Sequence, residues 1–279
     1  MLPLRLLSTA RRVLPSTRSL SSKGPLTSLS VDDDEVATLT MQRLPVNSLN
    51  LDLLQELDKA LDEVAKNKAK GLIITSASPT VFSAGLDITE MHKPEMERLT
   101  AFWTTLQGFW LKLFGAPFPT AAAVNGHAPA GGCLIAMSCE YRAMVGGKFG
   151  IGLNETALGI VAPRWFMDTM CNVIPTREAE LALTTGRMFS VEEAHKVGLI
   201  DDIAKDKADA IEKCKEFIER FDSIPPMARS LTKQKFRQSA LQGLIKTREA
   251  DLAEFKQFCL QPQIQKAIGM YIQMLKQKK

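Results

Sequence analysis

The sequence predicts an α/β fold followed by a helical carboxy-terminal region, and three patterns support this. Short apolar runs of strand length alternate with amphipathic helical segments as far as about residue 160. A loop opens at the end of several of these runs, as expected where a strand leads into a helix. From about Pro163 onward, helical periodicity dominates. Alternating strands and helices indicate parallel strands that are covered by helices.

The predicted strands are short and apolar, and lie at 36–39, 72–75, 120–124 and 141–145. Between the first two, Asn50 or Asp52 can cap a helix with one apolar face. A second helix is predicted over about 94–114, where two following prolines end it. A third helix is predicted to begin near Gly131.

The carboxy-terminal part is predicted to be helical, at 176–183, 191–197 and 207–222. Pro225 and Pro226 break the chain, and the tail 227–279 is helical by pattern apart from an interruption around Pro262. The apolar faces of this tail need a partner surface, either the core or another subunit. We therefore predict an α/β core at 31–224 and a helical oligomerisation region at 225–279.

Residues 1–30 have the composition of a mitochondrial transit peptide. The leader contains basic residues and no acidic residue before Asp32, and its leucines can share an amphipathic helix with its arginines. The alternative is an untargeted disordered tail. The leader accounts for the net charge of +4, because it carries five positive charges and no negative one, at Arg5, Arg11, Arg12, Arg18 and Lys23. The remainder is nearly neutral, which argues against nucleic acid as a partner.

Cysteine and histidine residues show no metal-binding spacing. The five cysteines (133, 139, 171, 214 and 259) form no C-x-x-C pair, and the chain has only three histidines. We therefore expect no metal site, and reduced, buried thiols. No apolar run is long enough to span a bilayer, so we expect no membrane span.

Two glycine-containing loops could provide a pair of backbone hydrogen-bond donors. The first is Phe-Ser-Ala-Gly-Leu-Asp at 82–87, where a positive φ at Gly85 would point the N–H of Leu86 into a cleft. The second, at 125–133, opens a helix at Gly131, whose N–H has no partner within that helix. Each loop alone is equally compatible with an ordinary turn or with close helix packing. Together, they could bind one carbonyl oxygen.

A lone carboxylate, Glu155, follows the second loop. Beside a carbonyl held by two N–H donors, it could remove a proton from the adjacent carbon. An apolar pocket including Leu134 would raise its pKa by desolvation. The alternative is a surface or helix-capping glutamate. A Ser–His pair of Ser83 and His127 is another alternative, but no G-x-S-x-G motif accompanies it.

These loops, followed by the segments 149–160 and 191–201, resemble the crotonase, or enoyl-CoA hydratase/isomerase, superfamily. The resemblance extends from about residue 35 to the end of the chain. It implies a crotonase-like ββα spiral core with a C-terminal helical region, and a coenzyme A thioester as substrate. It also implies a homotrimer, and no cofactor, because coenzyme A is part of the substrate.

The resemblance also implies roles for individual residues. By position, the N–H groups of Leu86 and Gly131 would form an oxyanion hole for the thioester oxygen, and Glu155 would transfer protons. The residues expected to bind the substrate are Ala84, Gly85, Leu86, Asp87, Ile88 and Gly131.

Leu134 distinguishes between reactions in this superfamily. Its hydratases usually carry a second glutamate at the position that aligns with Leu134, which cannot transfer protons. We therefore expect an isomerase that converts cis- or trans-3-enoyl-CoA to trans-2-enoyl-CoA in β-oxidation of unsaturated fatty acids, in the mitochondrial matrix. The alternatives are an enoyl-CoA hydratase-type enzyme and a non-catalytic acyl-CoA-binding subunit.

Overall fold

The structure, a computed structural model, describes residues 12–13 and 24–277. Its strands are β1 (Arg12–Val13), β2 (Thr27–Val31), β3 (Val36–Met41), β4 (Gly71–Ser76), β5 (Thr120–Val124), β6 (Ala128–Pro129), β7 (Tyr141–Val145), β8 (Gly150–Gly152), β9 (Phe189–Ser190) and β10 (Asp202–Ala204). Its α-helices are α1 (Leu51–Lys66), α2 (Met96–Phe114), α3 (Gly131–Ser138), α4 (Arg164–Cys171), α5 (Thr176–Thr185), α6 (Val191–Val197), α7 (Lys207–Glu219), α8 (Pro226–Cys259) and α9 (Pro262–Gln277). Short 3₁₀ helices cover Ile88–Glu90 and Thr156–Leu158.

A seven-stranded sheet forms the main layer, in the order β1-β2-β3-β4-β5-β7-β10. The strands from β3 to β10 pair in parallel, whereas β1 and β2 pair antiparallel at one edge. In a smaller sheet, β8 pairs with β6 in parallel and with β9 antiparallel. The predicted α/β class is therefore confirmed, with an antiparallel edge that the sequence pattern did not reveal.

The main sheet is buried on both faces. Along β4, Leu72 and Ile74 point into the larger hydrophobic core, to which α1 and α2 contribute, whereas Ile73 points into a smaller cluster with residues of α7. Strands β4 and β5 are buried over their whole length. Burial on two sides explains why these strands are continuous apolar runs rather than alternating ones.

Several predicted elements agree closely with the structure. Strands β5 and β7, helix α6 and the start of α3 have the predicted bounds. Asn50, rather than Asp52, caps α1, because its side chain accepts a hydrogen bond from the Leu53 N–H at 3.0 Å. The predicted helix at 207–222 ends earlier, at Glu219.

The predicted leader lies mostly outside the described residues. Strand β2 begins at Thr27 and pairs with β3, so residues 27–30 belong to the sheet. The transit peptide and its boundary at residue 30 stay predictions, as does the oligomerisation role of the tail.

The helical tail covers part of its own core. Helix α8 packs against α2 and α4. Among the side chains that the structure describes, the buried apolar ones of α8 and α9 include Ala240, Leu244, Cys259, Ile264 and Ile268. Other apolar side chains of α8 remain exposed, among them Met227 at 76% and Phe236 at 75%. The tail therefore buries apolar side chains on the side that faces the core and exposes others on the opposite side.

Four cysteines are buried thiols as expected, but Cys171 is exposed because it ends α4 at the surface. Within residues 12–13 and 24–277, the structure contains no group of three or more His, Cys, Asp or Glu side chains that could hold a metal ion. No helix in that part of the chain is long and apolar enough to cross a membrane.

Candidate active site

The first glycine loop presents the N–H of Leu86 without a partner. Gly85 has a φ of +83°, as the sequence predicted. On either side, the Gly85 carbonyl accepts from the Leu49 N–H at 2.8 Å and the Asp87 N–H donates to the Leu49 carbonyl at 3.0 Å. The Leu86 N–H between them donates to no other residue that the structure describes. It is therefore available to a ligand.

The second loop presents the N–H of Gly131 in the same way. Ala130 has a φ of +48°, a conformation that costs an alanine of the order of 1–3 kcal/mol. Ala130 itself is held by two backbone hydrogen bonds, because its N–H donates to the Gly152 carbonyl at 2.8 Å and its carbonyl accepts from the Leu134 N–H at 3.0 Å. No described residue accepts from the Gly131 N–H, which is the first of helix α3.

The two loops touch at these donors. A Cβ added to Gly131 would lie 3.3 Å from the backbone nitrogen of Leu86. A Cβ added to Gly85 would lie 3.1 Å from the backbone nitrogen of Gly131 and only 2.9 Å from the Ala130 Cβ. The fold therefore brings the two predicted donors side by side, and glycine at both positions permits that approach.

Glu155 follows strand β8, which runs beside the second loop. In this pairing, Pro129 is in register with Gly152, so β8 points its C-terminal end toward the start of α3. Glu155 lies three residues further on and precedes the 3₁₀ helix Thr156–Leu158. Because β6 and β8 are parallel, both strands end at the same edge of the small sheet. The chain continues from that edge to Gly131 after β6 and to Glu155 after β8.

The Glu155 side chain is buried without a charge partner. It is 8% exposed, and its Oε2 has no hydrogen-bond partner in the described structure. Desolvation raises its pKa to about 7. Burial raises the pKa of the Cys133 thiol in α3, and the charge of Glu155 raises it further, so the two side chains are close enough to interact electrostatically. Such a carboxyl group can both accept and return a proton near neutral pH.

Leu134 is 2% exposed in α3, next to Cys133. Both side chains belong to the main hydrophobic core. The residue that aligns with a second glutamate in hydratases is therefore part of an apolar wall, in keeping with the desolvation expected for Glu155.

The remaining predicted substrate-binding residues belong to the first loop or follow it directly. Ala84 is exposed and Ile88 is half-buried, whereas the Asp87 carboxylate is mostly buried. Asp87 is fixed by an ion pair with Arg43 at 2.8 Å and by a hydrogen bond from the Thr89 N–H at 3.1 Å. Arg43 was not predicted, because nothing in its local sequence links it to Asp87, which lies about forty residues later in the chain.

Ser83 and His127 do not form a catalytic pair. The Ser83 hydroxyl is fully buried, donates to the Asn47 carbonyl at 2.8 Å and accepts from the Gly85 N–H at 3.2 Å. His127 is exposed, and its Nδ1 accepts from the Gly150 N–H. Both side chains therefore support loop structure, and the Ser83–His127 alternative is wrong.

The three tryptophans are core residues. Trp103, Trp110 and Trp165 are each at most 2% exposed. Trp103 and Trp165 donate to the same carboxylate, that of Asp251 in α8, at 2.7 and 3.2 Å. No local pattern distinguishes Asp251, since it lies on a long helix rich in charged residues.

Comparison with known proteins identifies similar chains along almost the whole length. The family model described as enoyl-CoA hydratase/isomerase matches residues 32–278. The mitochondrial enoyl-CoA delta isomerase 1 of Mus musculus is 42% identical over 88% of this chain and 85% of that protein. The Homo sapiens protein of the same name is 39% identical over 88% of this chain and 81% of its own length. The crystal structure of human mitochondrial delta3-delta2-enoyl-CoA isomerase aligns with a TM-score of 0.88 at 38% identity, covering 91% of this chain and all of that one.

Proposed function

Because this chain belongs to the enoyl-CoA hydratase/isomerase family, we propose that it is an enoyl-CoA isomerase of β-oxidation. It converts 3-enoyl-CoA to trans-2-enoyl-CoA. The observation that carries the proposal is a buried Glu155 whose Oε2 has no hydrogen-bond partner in the described structure. It follows β8, which pairs with β6 just before Gly131, where the N–H groups of Leu86 and Gly131 lie unpaired.

In this proposal, Glu155 is both base and acid. Its carboxylate accepts a proton from C2 of the substrate. The electron pair of that C–H bond forms a C1=C2 double bond while the carbonyl π electrons move to the thioester oxygen, which gives a dienolate. The acid then returns the proton to C4, where the electrons of the former C3=C4 bond form the new C4–H bond. The C1=C2 electrons become the C2=C3 double bond of the product, and the thioester carbonyl re-forms. One carboxyl group suffices because the reaction adds and removes nothing. Its pKa of about 7 balances the two steps.

The N–H groups of Leu86 and Gly131 stabilise the thioester oxygen, where the charge of the dienolate concentrates. Backbone hydrogen bonds already hold the neighbouring residues, at Gly85 and Asp87 in the first loop and at Ala130 in the second. Loss of one such donor typically costs of the order of 3–4 kcal/mol in the transition state. Residues Ala84, Gly85, Leu86, Asp87 and Ile88, with Gly131, would contact the coenzyme A thioester.

Hydration is disfavoured because water addition needs a group to activate water and a group to deliver a proton. Leu134 supplies neither, and it is buried among apolar side chains. We therefore expect little 3-hydroxyacyl-CoA when the protein is incubated with trans-2-enoyl-CoA.

The proposal is tested with purified protein and a series of 3-enoyl-CoA thioesters, following the ultraviolet absorbance of the conjugated product. Glu155→Gln should lower kcat by about 100- to 10,000-fold and still bind the thioester. Glu192→Gln, an exposed glutamate of α6, is the control and should keep wild-type turnover. Unchanged turnover in Glu155→Gln would overturn the role of this carboxylate, and thioester binding without any wild-type turnover would favour a non-catalytic subunit.

We also propose a location in the mitochondrial matrix and assembly as a homotrimer, with coenzyme A entering only as part of the substrate. The basic leader supports the location, as does the word mitochondrial in the names of the mouse and human relatives. The exposed apolar side chains of α8 support association. Fractionation of mitochondria and light scattering on the purified protein would test these two points.

A further inference from the structure

Gln265 of α9 holds the loop 91–93, which lies 172 residues earlier in the chain. Its Oε1 accepts from the Lys93 N–H at 2.8 Å, and its Nε2 donates to the Met91 carbonyl at 2.8 Å. The same Nε2 donates to the carbonyl of Cys259, the last residue of α8, at 2.6 Å. One side-chain amide therefore joins the end of α8, the start of α9 and this loop.

The loop contains a strained residue that this contact helps to hold. Lys93 has a φ of +47° and precedes Pro94, whereas a residue before proline prefers an extended backbone. Such conformations persist only where surrounding contacts enforce them. The hydrogen bond from the Lys93 N–H to Gln265 is such a contact, and Gly269, one turn further along α9, lies against the His92 ring.

The loop continues directly from the segment proposed to bind coenzyme A. The N–H groups of Met91 and His92 both donate to the Ile88 carbonyl at 3.1 Å. Ile88 begins the 3₁₀ helix that Asp87 caps, and Leu86 precedes Asp87. Because only this three-residue helix lies between them, a displacement of the loop would also displace Ile88 and Asp87.

The same loop separates two cavities. One, of about 200 Å³, is lined in part by Arg43, Asp87 and Thr89. The other, of about 600 Å³, is lined in part by Leu260 and Gln265. Residues 92–94 line both, so the position of the loop sets the shape of the cavity beside Asp87.

We propose that Gln265 is a positioning residue for the coenzyme A part of the substrate, an inference that rests on the proposed function. It holds the loop 91–93 from α9 and thereby keeps the segment 84–88 in its binding conformation. Gln265 does not touch the reacting carbons, so its loss weakens binding and leaves proton transfer at Glu155 unchanged.

The test compares Gln265→Ala with Gln263→Ala, an exposed residue of the same helix whose amide hydrogen-bonds only to Gln261. We expect Gln265→Ala to raise the Kd of free coenzyme A, measured by calorimetry, and the KM for 3-enoyl-CoA by about tenfold, because it removes both hydrogen bonds between α9 and the loop 91–93. Its kcat should stay within about twofold of wild type. Gln263→Ala should match wild type in all three.

A second variant, Gln265→Glu, keeps the shape and the acceptor for the Lys93 N–H but sets a carboxylate against two carbonyl oxygens. It should also raise the Kd of coenzyme A, and it covers the case in which the alanine variant fails to fold. Wild-type Kd in both variants, or a fall in kcat as large as the fall in kcat/KM, would overturn the proposal. Failure of the proposed function would give a different result, because the wild-type protein would then show no turnover of 3-enoyl-CoA, whatever the Kd values of the variants.

Discussion

The Nδ1 atom of His127 accepts a hydrogen bond from the backbone N–H of Gly150 at 3.1 Å. Gly150 begins β8, the strand that leads to Glu155, and His127 lies in the second loop, which leads to Gly131. The His127 carbonyl also accepts from the Phe82 N–H at 2.9 Å, at the start of the first loop. One residue thus joins the segments that carry both proposed N–H donors and the proposed base.

From this contact we expect kcat to depend on a hydrogen-bond acceptor at position 127. His127→Leu leaves the Gly150 N–H without its partner and should lower kcat several-fold, because the strand before Glu155 loosens at a cost of about 1 kcal/mol. His127→Asn can place an amide oxygen near the former Nδ1 and should retain most of the activity. Steady-state kinetics of the two variants measure this, and equal kcat values in both would refute a role for the acceptor.

The pH dependence of the reaction should follow Glu155. Only its carboxylate can take the C2 proton, and desolvation raises its pKa to about 7. We therefore expect kcat/KM to be level above pH 7 and to fall tenfold per pH unit well below it. The residual activity of Glu155→Gln should lack this fall, and a wild-type profile that stays level down to pH 5 would contradict the assignment.

Burial of the Glu155 carboxyl group should lower the free energy of unfolding at high pH. Its folded-state pKa of about 7 exceeds the unfolded value of about 4.5, so the folded state binds the proton more tightly. Stability is therefore lost as the pH rises from about 4.5 through 7, by up to about 3 kcal/mol. Glu155→Gln removes this term, so its stability relative to wild type should be greater at pH 8 than at pH 5. Urea unfolding at both pH values measures the difference, and a pH-independent difference would argue against the raised pKa.

Gly85 should be essential to the first donor. In Gly85→Ala the new methyl group would lie 2.9 Å from the Ala130 Cβ, and the residue would retain a φ of +83°. We expect a loss of kcat of about 100-fold or more, because the Leu86 N–H moves from its position. The change is measured by steady-state kinetics.

Gly198 provides a matched control for this substitution. It has a φ of +81° at the end of α6, and a Cβ there would have no neighbour within 4 Å. Gly198→Ala should therefore share the backbone strain of about 1–2 kcal/mol and keep its kcat. Similar losses of kcat in both variants would mean that backbone strain alone explains the effect.

Much of the architecture was predictable from local patterns. Strands such as β5 (Thr120–Val124) are short apolar runs because both of their faces are buried, and Asn50 marks the start of α1 because its side chain caps it. The positive φ of Gly85 was also predictable, since glycine adopts it without steric cost. Strand β2 was not, because its polar serines and threonine give little hydrophobic periodicity at a sheet edge.

The sequence by itself determined which groups are chemically able to act: one carboxylate at Glu155, a leucine at 134 instead of a second acid, and glycines at 85 and 131. It could do so because residue type and backbone freedom are local properties. Only the tertiary structure decided that two N–H groups from distant loops lie side by side and unpaired, that the Glu155 carboxyl group is desolvated, and that Gln265 reaches the loop at Met91. Distance, burial and pairing arise from segments far apart in the chain, so no local pattern can encode them.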